Sequence, residues 1–146
     1  MNKVYCSETT GFKVQFFDLD PMNIVWHGNY VKYMEIGRCA LLEKIGYTYS
    51  EMSENGYAFP VTDIKLRFVR PLTSGENAKI VSSLTEYENC LKIKYRIFNE
   101  KGELTTKAES TQMAFDMKKK ESSFVCPEML INKVREIIKR EKTGNL

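Results

Sequence analysis

The sequence predicts an α+β layer fold: one five-stranded antiparallel sheet curved around a long central helix, with a C-terminal helix outside it. Three observations predict this. From Asn29 onward, Tyr30, Met34, Gly37, Leu41 and Ile45 recur at helical steps of four and three. Behind that helix come four stretches with the period-2 alternation of strands, two of them joined by the hairpin composition Asn99-Glu-Lys-Gly102. Last, Pro127 opens a one-sided stripe of Leu130, Val134, Ile137 and Ile138. Strand, long helix, four strands and terminal helix is an order that packs as one sheet on one helix.

The elements read in order as follows. Phe12, Val14 and Phe16 alternate with Lys13 and Gln15, so Phe12–Phe17 is expected to be the first strand. Asp18–Gly28 is a loop, because Pro21 has no amide donor and disfavours helix at Asp20. In the helix, Val31, Ile36, Ala40 and Leu42 widen the apolar stripe, and Gly46 stops it. Tyr47–Asn55 reads as a short helix or turn ending at Asn55-Gly56. Tyr57–Arg70 reads as a strand region broken by Pro60, and Pro71–Gly75 as a turn. Ala78–Tyr87, Leu91–Phe98 and Leu104–Met117 are the remaining strands. Fraying is expected after Lys142. No repeat or linker interrupts residues 1–146, which read as one domain, and a sheet with two free edges is suited to pairing between copies.

Composition removes several function classes. Hydrophobic residues make up 42% and charged residues 28% of the 146, ordinary for a globular chain. The net charge of +3 is dispersed, and the run Lys118-Lys119-Lys120 is followed at once by Glu121, a solvated turn and no nucleic-acid patch. No stretch approaches the ~20 apolar residues of a membrane span, and Met1–Glu8 has no apolar signal core. A cytoplasmic location is expected. Cys6, Cys39, Cys90 and Cys126 lack metal-ligand spacing and read as reduced, partly buried thiols. With a single histidine, a zinc site built on histidines is almost excluded.

Two carboxylates, a proline, the only tryptophan and the only histidine fall between Asp18 and His27, at the entrance to the central helix. The stretch Asp18-Leu-Asp20-Pro-Met-Asn23-Ile-Val25-Trp26-His27-Gly-Asn29-Tyr30 resembles the D-x-D-x-x-G-[IV]-V-[WY]-[HYF]-x-x-Y pattern of the hotdog-fold thioesterases, in particular the 4-hydroxybenzoyl-CoA and Tol–Pal-associated acyl-CoA thioesterase group. The resemblance implies a hotdog fold over nearly the whole chain and hydrolysis of an acyl-CoA or acyl-carrier-protein thioester. It makes Asp20 the catalytic carboxylate, as nucleophile or general base, and places the His27 amide where the thioester oxygen is polarised. The His27 side chain matches a histidine proposed to assist proton transfer. Substrate contacts are implied for Asn23, Val25, Trp26, Asn29 and Tyr30 and, before the next strand, for Phe59 and Val61. Asn29 and Tyr30 are also expected to hold the loop in place. The resemblance implies a dimer or tetramer with the site at an interface, and neither metal nor cofactor beyond the coenzyme A of the substrate. Physical chemistry agrees on the oxyanion, since unpaired amides and the positive end of a helix dipole suit developing negative charge.

The departures are specific. Asn23 stands where the pattern has glycine, and asparagine is the side chain that next most readily takes a left-handed conformation. Phe16 replaces a tyrosine, and Tyr87–Lys92 lacks the basic run that holds coenzyme A phosphates in the hydroxybenzoyl branch. Phe59 replaces a polar residue, which favours an aliphatic acyl group. On the residues alone, Asp20 before Pro21 also fits a turn or cap, Asp18 a structural bond to loop amides, and His27 a cap. Glu35 is a second candidate carboxylate, or a partner for Arg38 or Cys39. A hotdog hydratase or dehydratase, which places its histidine closer to the aspartate, and a non-catalytic acyl-CoA-binding protein are the alternative functions.

Overall fold

The computed structural model describes residues 3–144. Its main sheet is built from β1 (Cys6–Lys13), β3 (Val61–Phe68), β4 (Asn77–Glu86), β5 (Leu91–Phe98) and β6 (Leu104–Gln112), in the order β1-β4-β5-β6-β3 with every pair antiparallel. The sheet packs on α1 (Asn29–Ile45), as the hotdog fold requires. α2 (Tyr49–Glu54) follows α1 in the chain, and α3 (Glu128–Lys142) packs against α1. The strands β2 (Tyr57–Ala58), β7 (Ala114–Asp116) and β8 (Glu121–Ser123) form a separate small sheet.

Alternation decides which face of each strand is buried. Ile80 and Leu84 of β4, and Ile93, Tyr95 and Ile97 of β5, turn inward onto Tyr33, Met34, Leu41 and Ile45 of α1. At Gly37 helix and sheet approach too closely for a side chain: a Cβ there would lie 3.1 Å from Ile80 Cδ1 and would overlap Ser82 Oγ. Gly46, at φ 87°, ends α1 as predicted. The predicted stripe is narrower than expected, however. Val31 and Ile36 face outward, because sheet and α3 cover only part of the helix circumference.

Two strand predictions need correction. The first strand is Cys6–Lys13, so of the predicted Phe12–Phe17 only Phe12 and Lys13 are strand, paired with Ala78 and Asn77. After Lys13, Gln15 and Asp18 bond reciprocally and curl Phe16–Asp18 into a 3₁₀ turn that leaves Phe16 and Phe17 in solvent. The true strand was hidden because two of its inward positions, Glu8 and Thr10, are polar. Leu104–Met117 is likewise two strands. Pro60 breaks the facing chain between β2 and β3, and the partner switches sheets opposite it: Gln112 still pairs with Val61, whereas Phe115 pairs with Ala58. The Lys118–Lys120 run is the turn between β7 and β8. At the C-terminus, Thr143 caps α3 through Lys139 O, while Asn145 and Leu146, where fraying was expected, lie outside the described residues.

All four cysteines are free. Burial pushes the Cys6 thiol up to about 11 and that of Cys126 up to about 12. At about pH 7.5 both are therefore protonated as well as shielded, and thiols react as thiolates. Iodoacetamide is expected to modify exposed Cys39 in the native protein and to reach Cys6 and Cys126 only after unfolding. Peptide mass mapping reads this directly, and native labelling of Cys126 would show that the start of α3 opens.

Candidate active site

Leu19 and Val25 bridge as two short arms, closed by a tight turn over Asp20-Pro21-Met22-Asn23. Asn23 N donates to Asp20 O (3.0 Å), and Asp20 N to Ile24 O (2.8 Å). Aspartate first and proline second is the composition such a turn favours. Asn23 has φ 62°, the left-handed conformation inferred for it from the glycine pattern. A second bridge, Ile24 to Thr73, and the bond from Val25 N to Leu72 O (2.9 Å) fasten the turn to the segment after β3.

The two aspartates have different surroundings. Asp18 is 3% exposed, and its carboxylate accepts from Gln15 N (3.0 Å) and the Tyr33 hydroxyl (2.9 Å), with Lys32 Nζ 3.6 Å away. Its carbonyl accepts from Trp26 N (2.9 Å) and Asn29 Nδ2 (2.7 Å), so Asp18 ties the loop to the start of α1. Burial, and then this hydrogen bond, raise the Tyr33 phenol well above the ordinary tyrosine range, so it donates and does not ionise. Asp20 is half-buried. Its Oδ1 accepts from Met22 N (2.7 Å), and Oδ2 has no protein donor among the described residues.

A cavity of about 290 Å³ opens beside this turn. It brings together Asp20, His27, Val25 and Tyr30 of the predicted set with Phe68 and Arg70 from the end of β3, which sequence reasoning missed. The Tyr30 ring is buried and meets Phe68 edge-on, with centroids 5.0 Å apart. Burial raises its phenol. The His27 amide precedes the first turn of α1 and donates to no protein acceptor among the described residues. Gly28 follows it, with the Trp26 indole lying where a side chain on Gly28 would be.

The other predicted residues lie apart. Asn23 and Asn29 shape the loop, and half-exposed Trp26 covers Gly28. Phe59 and Val61 are at the opposite end of β3 from Phe68, about 23 Å away at the usual ~3.3 Å per residue. Phe59 instead lines a second cavity of about 630 Å³ with Tyr49, Met52, Tyr57, Phe115 and Met117. Glu35 is engaged elsewhere: it pairs with the buried Arg38 and accepts from the Tyr49 hydroxyl (3.0 Å). Among the described residues no group of three His, Cys, Asp or Glu side chains is placed to hold a metal ion.

Known proteins resemble this chain in sequence and in shape. The family described as the thioesterase-like superfamily matches residues 14–134. The "Putative acyl-CoA thioesterase YneP" of Bacillus subtilis is 37% identical over 105 residues, 71% of this chain and 76% of that protein. The 1,4-dihydroxy-2-naphthoyl-CoA hydrolase of Thermosynechococcus vestitus is 22% identical over 71% of this chain and 73% of its own. Among solved structures, a DHNA-CoA thioesterase from Staphylococcus aureus superposes with a TM-score of 0.81 over 96% of both chains; at 23% identity this shows a shared fold.

Proposed function

The chain belongs to the thioesterase-like superfamily, and from that premise we propose that it hydrolyses acyl-CoA thioesters with Asp20 as the catalytic carboxylate. The observation that carries this reading is the shared cavity of the Asp20 carboxylate and the undonated His27 amide. The Asp20 oxygen without a protein donor either attacks the carbonyl carbon or takes a proton from the water that does. In both routes the carbonyl oxygen becomes an oxyanion facing the His27 N–H and the positive end of α1. The tetrahedral centre collapses with cleavage of the C–S bond, and the leaving sulfur takes a proton from the His27 ring, which the proton released by the hydrolytic water restores. The covalent route adds hydrolysis of the acyl–aspartate anhydride. No metal or redox step is required. The loop motif supports a kinship with the 4-hydroxybenzoyl-CoA and Tol–Pal-associated group, and an acyl carrier protein is the alternative carrier.

The site is completed by a second copy. β3 is an edge strand whose only neighbour among the described residues is β6, and Val61, Ile64 and Phe68 on it are 40%, 42% and 49% exposed. Antiparallel pairing of β3 with β3 of the partner would set the Phe68 end of one beside the Val61 end of the other. The Asp20 cavity would then adjoin the partner's Phe59 cavity, whose aromatic and methionine lining suits an apolar acyl group. This is how Phe59 and Val61 would reach a substrate held by Asp20.

Thiol release from short, medium, long and aromatic acyl-CoA esters tests the activity, with acyl carrier protein esters on the same plate. Preference for apolar chains is expected. Complementation tests the shared site. Asp20→Asn and Phe59→Asp, each inactive alone, are expected to restore about a quarter of wild-type turnover when coexpressed, because about half of all dimers are mixed and each mixed dimer holds one intact site of its two. Activity that stays absent in the mixture, with dimers formed, would rule out a site shared in this way.

A further inference from the structure

The sheet has a second face, directed away from α1, that contributes no residue to the Asp20 cavity's carboxylate, amide or ring chemistry. On β5, Ile93, Tyr95 and Ile97 are buried toward the helix, so Lys94 and Arg96 point the other way. The register aligns these cations across three strands. Arg67, Lys107 and Arg96 stand directly opposite one another on one rung, and Lys65, Glu109 and Lys94 on the next. Five cations are thus answered by one carboxylate. None of the five forms an ion pair among the described residues. Like charges directly opposite on a sheet are destabilising, and Glu109 stands opposite Lys65 and Lys94 only, so the Arg67–Lys107–Arg96 rung has no carboxylate opposite it. The same residues line a hollow of about 490 Å³, walled by Val4 and Ser83.

We propose that this hollow is a binding site for an oligophosphate group, separated from the Asp20 cavity by the sheet itself. Size and charge favour this ligand. The volume is that of a small-molecule site, and Arg with Lys on neighbouring strands supplies several charge-assisted donors to adjacent phosphates. A monocarboxylate would leave most of the charge unanswered. A second copy of this face would bring five cations against five, so it is not the occupant. The phosphates could come from a free oligophosphate or from the coenzyme A end of a substrate.

Calorimetric titration with tripolyphosphate at low salt tests the proposal. Wild-type protein is expected to bind saturably, and the Arg96→Gln/Lys107→Gln double variant about tenfold more weakly or worse. A Lys139→Gln/Lys142→Gln variant, which loses the same charge from exposed positions on α3, should bind like wild type. Because the first pair of substitutions removes a repulsion, that variant should melt no lower than wild type, so lost binding would not reflect misfolding. Absence of saturable binding to wild type, or equal loss in both double variants, overturns the site. Kinetics separate the two sources. A raised KM for acyl-CoA with an unchanged KM for acyl-pantetheine in the Arg96/Lys107 variant assigns the phosphates to the substrate; two unchanged KM values assign them to a free ligand.

Discussion

Asp20→Asn should lower kcat/KM for acyl-CoA hydrolysis by roughly 10²- to 10⁴-fold, the range typical of a lost catalytic acid or base, and leave the melting temperature where it was. The separation is built into the turn. Asparagine keeps the side-chain oxygen that accepts from Met22 N, and the backbone bonds that close the turn do not involve the side chain. What disappears is the negative charge in the cavity shared with His27 and Tyr30. Thiol release measured beside a melting curve reads both halves. Turnover that persists in the variant would remove Asp20 from the chemistry and direct attention to Glu35, whose carboxylate would first have to leave Arg38 and Tyr49.

Asp18→Ala, two residues away, is predicted to do the opposite in the first instance: unfold the protein more readily. The substitution strands the Tyr33 hydroxyl and the Gln15 amide, both of which the carboxylate now satisfies. A buried donor left without its partner costs about 1–3 kcal/mol, and one that had a charged partner falls at the upper end. Of the two, only the Tyr33 hydroxyl is fully buried, since exposed Gln15 can turn its amide to water, which gives roughly 2–3 kcal/mol, or a fall in Tm of about 4–12 °C for a chain of this size. Activity should fall as well, because Asp18 O holds Trp26 N and Asn29 Nδ2 and so sets where α1 begins relative to Asp20. Calorimetry of Asp18→Ala beside Asp20→Asn is the decisive comparison. Equal stability of the two variants would mean that the Asp18 carboxylate is not the anchor of the loop.

The legible parts of the fold were those in which one face of an element is apolar and the other polar. β5 was read to the residue, because Leu91, Ile93, Tyr95 and Ile97 alternate with cations. α1 was read from its stripe and from Gly46. β1 was not, since the Glu8 and Thr10 positions on its inner face carry no apolar signal, while Phe12, Val14 and Phe16 imitate a strand that the Gln15–Asp18 bonds do not allow. The candidate site divides in the same way. Asp20, Val25, His27 and Tyr30 were legible because they are close in sequence and fit one pattern. Phe68 and Arg70 come from the far end of β3, and nothing local marks them.

Side-chain period and the placing of Pro21 were enough for the order of elements, the sheet around one helix and the loop at the helix entrance, and the glycine of the resembled pattern for the left-handed Asn23. Tertiary structure alone decided the rest. It made Asp18 an anchor and left Asp20 with a carboxylate oxygen free, although the two share a side chain and differ by two positions. It set Phe59 a strand's length away from Asp20, and it stacked Arg67, Lys107 and Arg96 on one rung. Burial and strand register are properties of distant segments brought together, and the local pattern of residues does not carry them.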